Sequence, residues 1–138
     1  MTFKNLNDLM KHIENDITDV LQHEVADTAK SHMQEAIQTT VYDAYDPEHY
    51  TRRMGNGGLL DGDNIEAAVN GDTLTVRDIA PLDNGRTNYA LDDIVIHGYG
   101  NQPFPRDYIS TTEERLIKTN DHVEAMKQGL KKKGYNVK

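Results

Sequence analysis

The sequence predicts an α+β fold: a long N-terminal helix and a C-terminal helix packed on a small, mostly antiparallel sheet. Three observations carry this expectation. Apolar residues recur at spacings of three and four from Leu6 to Ile37. Apolar and polar residues alternate on both sides of Asn70-Gly71-Asp72. A second helical pattern opens on Thr111 with Glu114 and closes on Gly134.

The first helix is assigned to residues 1–38. Leu6, Leu9, Met10, Ile13, Ile17, Val20, Leu21, Val25, Ala29, Met33 and Ile37 form one apolar stripe, and no Gly or Pro interrupts it. As one rod it measures about 45–50 Å. A compact chain of this length is only about 35–40 Å across. Two outcomes fit: a break near Asp27-Thr28, or an overhang whose surplus stripe packs on another copy of the chain. In the second case Leu6, Leu9 and Ile13, nearest the free end, are the interface.

Residues 39–64 read as an interaction loop. Thr39-Thr40-Val41-Tyr42 disfavours helix through its β-branched side chains. Asp46-Pro47, Gly55, Gly57-Gly58 and Gly62 then punctuate the chain up to the hairpin. The segment holds Tyr42, Tyr45, Tyr50, Arg52 and Arg53, residue types that anchor protein interfaces. The stretch from Val41 to Leu60 is therefore expected to be a docking element that orders on its partner.

Residues 65–109 hold the sheet and its loops. Ile65, Ala67 and Val69 alternate with polar positions, as do Leu74 and Val76, and a hairpin turn lies between them. Tyr89-Ala90-Leu91 and Ile94-Val95-Ile96 suggest one or two further strands. Residues 110–138 form the C-terminal helix and tail. Leu116, Val123, Met126 and Leu130 mark its apolar face, Lys131-Lys132-Lys133 sits where cations complement the helix dipole, and Tyr135-Asn136-Val137 reads as a short terminal strand.

The 138 residues suit a single domain. There is no cysteine, so disulfides, thiolate metal sites and cysteine nucleophiles are excluded. No stretch has the ~20 apolar residues of a membrane helix, and the N-terminus lacks a signal-peptide pattern. A membrane partner is not expected. The net charge of −8 argues against non-specific duplex binding, and no sequence-specific nucleic-acid partner is expected. Charge is uneven: residues 1–100 carry 18 acids and 7 bases, giving −11, whereas residues 101–138 carry 5 acids and 8 bases, giving +3. An acidic body with a basic tail suits docking to charged protein surfaces.

No catalytic, metal or cofactor site is expected. His12 with Asp16 and His23 with Asp27 are spaced i, i+4, but no third ligand stands at a recognisable spacing. Asp61-Gly62-Asp63-Asn64 opens like a calcium loop and fails at Ile65 and Glu66. Gly55-Asn56-Gly57-Gly58 is not succeeded by Gly-Lys-Ser/Thr, and neither Ser31 nor Ser110 lies in a nucleophile elbow.

Two segments carry a family resemblance. One is Val41-Tyr42-Asp43-Ala44-Tyr45-Asp46-Pro47-Glu48-His49-Tyr50-Thr51-Arg52-Arg53 with Gly57-Gly58-Leu59-Leu60-Asp61 and Asn64-Ile65. The other is Tyr89-Ala90, His97-Gly98-Tyr99-Gly100 and Pro103-Phe104-Pro105-Arg106, with Gly129-Leu130-Lys131-Lys132-Lys133-Gly134-Tyr135 further on. Over residues 41–134 the chain resembles small neck proteins of long-tailed phages of Gram-positive hosts, within the tail-completion or head–tail joining morphogenesis group. The group's usual glutamate-glycine-threonine before Pro-Phe stands here as His97-Gly98-Tyr99. The resemblance implies a structural bacteriophage protein of the virion neck, assembled in the host cytoplasm and working as an oligomeric ring. Its partners are then its own copies and the portal, adaptor or tail proteins, with DNA passing through the channel. Phe104 and Arg106 join the expected interaction residues. The alternative is a small acidic phage inhibitor that mimics DNA against a host defence nuclease.

Overall fold

A computed structural model describes residues 2–43, 55, 58–80, 95–97 and 106–138. Its architecture is α+β, with helices at both ends and, among the described residues, one antiparallel hairpin between them. The first helix does not break at Asp27-Thr28. α1 (Leu6–Val20) passes through a π-helical turn, Leu21–Val25, into α2 (Ala26–Ile37) and then a second π turn, Gln38–Tyr42. Backbone angles stay in the right-handed helical region at each junction, so the rod runs unbroken for about 55 Å.

The two π turns solve a phase problem in the stripe. Leu21, Val25, Ala29, Met33, Ile37 and Val41 are each four residues apart, so in an α-helix the row drifts around the axis. A π turn closes on the fifth residue and turns the row back. Val20 and Val25, five apart across the first, are both buried, as are Ile37 and Tyr42 across the second. The helix therefore extends four residues beyond the expected end at 38. Thr39 and Thr40 stay in the helix and satisfy their hydroxyls on carbonyls of the preceding turn, Thr40 Oγ1 donating to Ala36 at 2.6 Å. Burial of Val41 and Tyr42 outweighs the small propensity cost of β-branching.

β1 (Ile65–Asn70) pairs with β2 (Thr73–Asp78) in the register Ile65↔Asp78 to Asn70↔Thr73. The turn residues are Gly71 and Asp72. Gly71 takes φ +67° as the first of the pair, the position where a II′ turn calls for glycine. Ala67, Val69, Leu74 and Val76 are half-buried, while Glu66, Ala68, Thr75 and Arg77 face outward. Asp78 ends the hairpin with its carboxylate accepting from the Ala80 N–H at 2.9 Å. Val95 and Ile96, expected in a strand, sit in a helical turn over residues 95–97, with Val95 in the core. Tyr89, Ala90, Leu91 and Ile94 lie outside the described residues.

The C-terminal segment is two helices, not one. α3 (Tyr108–Thr119) starts earlier than expected. Its cap is Asp107, whose carboxylate accepts from the Ser110 N–H at 3.0 Å, so Thr111 is not the cap. α4 (Asp121–Lys132) begins after Asn120, which sits left-handed at φ 61°. Asparagine tolerates that conformation. Its N–H closes α3 on Leu116, and its carbonyl accepts from Val123 and Glu124 to start α4. Gly134 ends α4 at φ +98°, with Gly134 N–H donating to Lys131 and Tyr135 N–H to Leu130, a Schellman motif. Residues 135–138 form no strand.

The core gathers Met33, Ala36, Ile37, Val41 and Tyr42 from the long helix with Leu59, Ile65, Ala80, Val95 and Tyr108. α4 reaches the rod by a close approach. A Cβ on Gly129 would lie 2.4 Å from Val20 Cγ1 and 3.0 Å from Cγ2. Within a helix Ala is normally better than Gly by about 1 kcal/mol. Here the valine branch is stiff and α4 must retreat. Gly129→Ala is expected to lower stability by about 1–2 kcal/mol net, read as a lower urea midpoint at constant slope. Val20→Ala in the same chain should recover part of the loss. A midpoint that rises would show that the packing at Val20 imposes nothing.

Candidate interaction surface

The free end of α1 is well formed but sparsely covered. Asn5 caps it, its side-chain oxygen accepting from the Asp8 N–H at 2.9 Å. Phe3 leans on the His12 ring at 5.1 Å between centroids. Leu6 is 68% exposed and Met10 50%. Leu9 and Ile13 are half-buried. Of the expected Leu6, Leu9 and Ile13, Leu6 alone is exposed, and it shares the free edge of the stripe with Met10.

Among the described residues, the hydrogen bonds tying α1 to distant parts of the chain begin at Asp16. Tyr135 donates its hydroxyl to Asp16 Oδ2 at 2.7 Å. Thr18 donates to the Gly71 carbonyl at 3.2 Å, so the hairpin turn reaches the helix there. Lys133 Nζ sits 2.6 Å from Asp19 and 3.8 Å from Asp16. This latch shifts titrations in consistent directions. The Lys133 hydrogen bond holds the Asp19 carboxyl below its usual range, and the same bond holds the Lys133 ammonium above its own. The bond to Asp16 pushes the Tyr135 phenol up, since ionisation would destroy it. Lys133 therefore does more than complement a helix dipole: it pins the chain's tail to α1.

The histidine pairs differ from the sequence expectation in one case. His12 Nε2 lies 3.2 Å from Asp16, four residues on, as the spacing suggests. His23 turns back instead to Asp19, donating Nδ1–H to its carbonyl at 2.8 Å, with the carboxylate at 3.2 Å. That backbone bond and the nearby charge raise its pKa. Farther along the rod, buried His32 meets Asp121 at 2.8 Å and Glu35 pairs with Arg115, joining α2 to the two C-terminal helices. Among the described residues no group of three His, Asp or Glu is placed to hold a metal ion. Asp61 caps a 3-10 turn, Gly62–Asn64, by accepting from the Asp63 N–H.

The expected interaction residues separate. Tyr42 is not an exposed anchor: it is 9% exposed and belongs to the core, carried there by the second π turn. Arg106 is half-buried, and its backbone N–H donates to the Val95 carbonyl at 2.9 Å. Tyr45, Tyr50, Arg52, Arg53 and Phe104 lie outside the described residues. The ends of the expected docking loop are core: Val41 and Tyr42 on one side, Leu59 on the other, with the Leu60 carbonyl accepting from Gln34. Sequence reasoning missed the latch at Asp16 and Asp19. Its only sequence signal was a terminal aromatic beside three lysines, opposite a helix rich in acids.

The basic tail is only partly used within the fold. Lys133 is engaged, but Lys127, Lys131, Lys132 and Lys138 form no ion pair among the described residues. No helix among the described residues is long and apolar enough to cross a membrane. The family model YomN matches residues 5–132, nearly the whole chain. The chain belongs to the YomN family. No curated protein and no solved structure matches it. In this YomN-family chain the matched span runs from the Asn5 cap to the end of α4, so it takes in the rod, the hairpin and both C-terminal helices.

Proposed function

We propose that this YomN-family protein is a structural component of the phage neck, joining the portal or adaptor side of the head to the tail and supporting tail completion. The observation that carries the reading is the uncovered end of α1: an intact, capped helix that presents Leu6 and Met10 to solvent. Exposed apolar rows on ordered elements mark contact surfaces. The resemblance of residues 41–134 to neck proteins supplies the setting, the virion neck after assembly in the host cytoplasm, and a ring of copies supplies the cover. An acidic body also suits a channel wall along which DNA slides without sticking.

The inhibitor alternative finds less support. A DNA mimic needs unpaired carboxylates spaced like phosphates. On the long helix Asp19 is instead bound by Lys133 at 2.6 Å, and Asp16 accepts from the Tyr135 hydroxyl with Lys133 at 3.8 Å. The test is disruption of the gene in the phage genome that carries it. Full heads and finished tails are expected to accumulate unjoined in negative-stain images. Joined, infectious particles made without the protein would overturn the reading. Capture of a host nuclease, with no capture of portal or tail proteins, would favour the inhibitor.

A further inference from the structure

Two rows of side chains on this molecule match each other. Leu6, Met10 and Glu14 are four apart and share one side of α1. The first two are the exposed apolar residues, and Glu14 is exposed with no ion pair among the described residues. Val123, Lys127 and Lys131 form the same kind of row on α4. Val123 is 36% exposed, Lys131 is exposed, and neither lysine has an ion pair among the described residues. Each row covers about 12 Å. Each begins apolar and ends charged, with opposite signs.

We infer that the α4 row of a second copy of this chain is the seat for the free end of α1, with the two helices parallel. Leu6 then meets Val123, Met10 lies along the aliphatic stem of Lys127, and Glu14 reaches Lys131. The rows cannot meet within one chain. There α4 runs antiparallel to α1, with Gly129 on Val20 and Tyr135 on Asp16. The tail of α4 already recognises acids of α1 inside the chain, through Lys133 with Asp16 and Asp19. The contact is heterologous, each copy giving one row and receiving the other, so it builds a closed ring or a filament. The inference rests on the ring reading above and adds the surface that closes it.

Charge reversal tests it. Neither Glu14 nor Lys131 makes an ion pair among the described residues, so Glu14→Lys should melt with the wild type, and Lys131→Glu, which reverses a charge in the last turn of α4, should melt only a few degrees lower. At low salt each is expected to weaken self-association about tenfold in sedimentation velocity, and the double variant to recover most of the loss. A double variant no better than either single, in a wild type that still self-associates, overturns this seat and leaves the ring reading standing. A wild type that stays monomeric at every accessible concentration overturns both. The chain has no cysteine, so Leu6→Cys with Val123→Cys gives a clean trap. Oxidation should yield a ladder of three or more linked copies, and a product that stops at the dimer would overturn the head-to-tail contact.

Discussion

Ile37→Ala is expected to destabilise the protein by about 3 kcal/mol, within the range for emptying a buried Ile or Leu position. Ile37 is fully buried at the point where α2 passes into the second π turn. The core cluster it belongs to draws on four separate parts of the chain, among them Met33 and Val41 on the rod, Leu59 before the hairpin, Ile65 on β1 and Tyr108 at the start of α3. A helix, a strand and a loop cannot all close on a missing side chain, so most of the cavity should persist. At about 4 °C per kcal/mol for a chain of this size, the melting midpoint should fall by roughly 12 °C. Ile37→Val, which removes one methyl, should cost about 1 kcal/mol. A small loss for Ile37→Ala would mean that the rod and the hairpin are held together elsewhere.

The same residue shows what was legible in the sequence. The apolar spacing from Leu6 to Ile37 identified the rod and its core face because helix periodicity is written locally. The hairpin was legible for the same reason: alternation and a glycine at the turn are local signals. Gly134 likewise announced the end of α4. What spacing did not reveal was the phase correction. A row repeating every four residues drifts in an α-helix, and only the buried pairs Val20/Val25 and Ile37/Tyr42 show where π turns take up the drift. The end of the rod lies beyond its propensity signal: Thr39 and Thr40 disfavour helix locally, and tertiary burial of Val41 and Tyr42 decides their conformation. The break at Asn120 had a signal in Thr119-Asn120-Asp121, three residues that favour caps, but Leu116 and Val123 stand seven apart, in phase for a single helix, and masked it. Tyr42 has the residue type of an anchor, and only its neighbours make it core. Whether a tyrosine is exposed is a property of the assembled core.

Leu6→Asp combined with Met10→Asp is expected to leave the fold intact and, on the neck reading proposed above, to abolish joining of heads to tails. Both side chains face solvent, Leu6 at 68% and Met10 at 50%, so the monomer loses little when they become polar. Exposed substitutions of this kind stay within about 0.5 kcal/mol each, about 1 kcal/mol for the pair, and the melting midpoint should move by no more than ~4 °C. In an assembly the balance differs. Covering a Leu or Met side chain is worth about 1.5–3 kcal/mol, and the variant places two uncompensated carboxylates in that contact. A loss near 3 kcal/mol at one interface is already about a hundredfold in affinity, and a ring repeats it at every joint. Infectious particles should fall by at least that factor, with unjoined heads visible. Leu9→Asp with Ile13→Asp is the contrasting pair. Those residues are half-buried, so that variant should lower the melting midpoint as well as particle yield. If Leu6→Asp with Met10→Asp unfolds the protein, the end of α1 braces the monomer. If it folds and heads still join to tails, the exposed row is not the contact on which assembly depends.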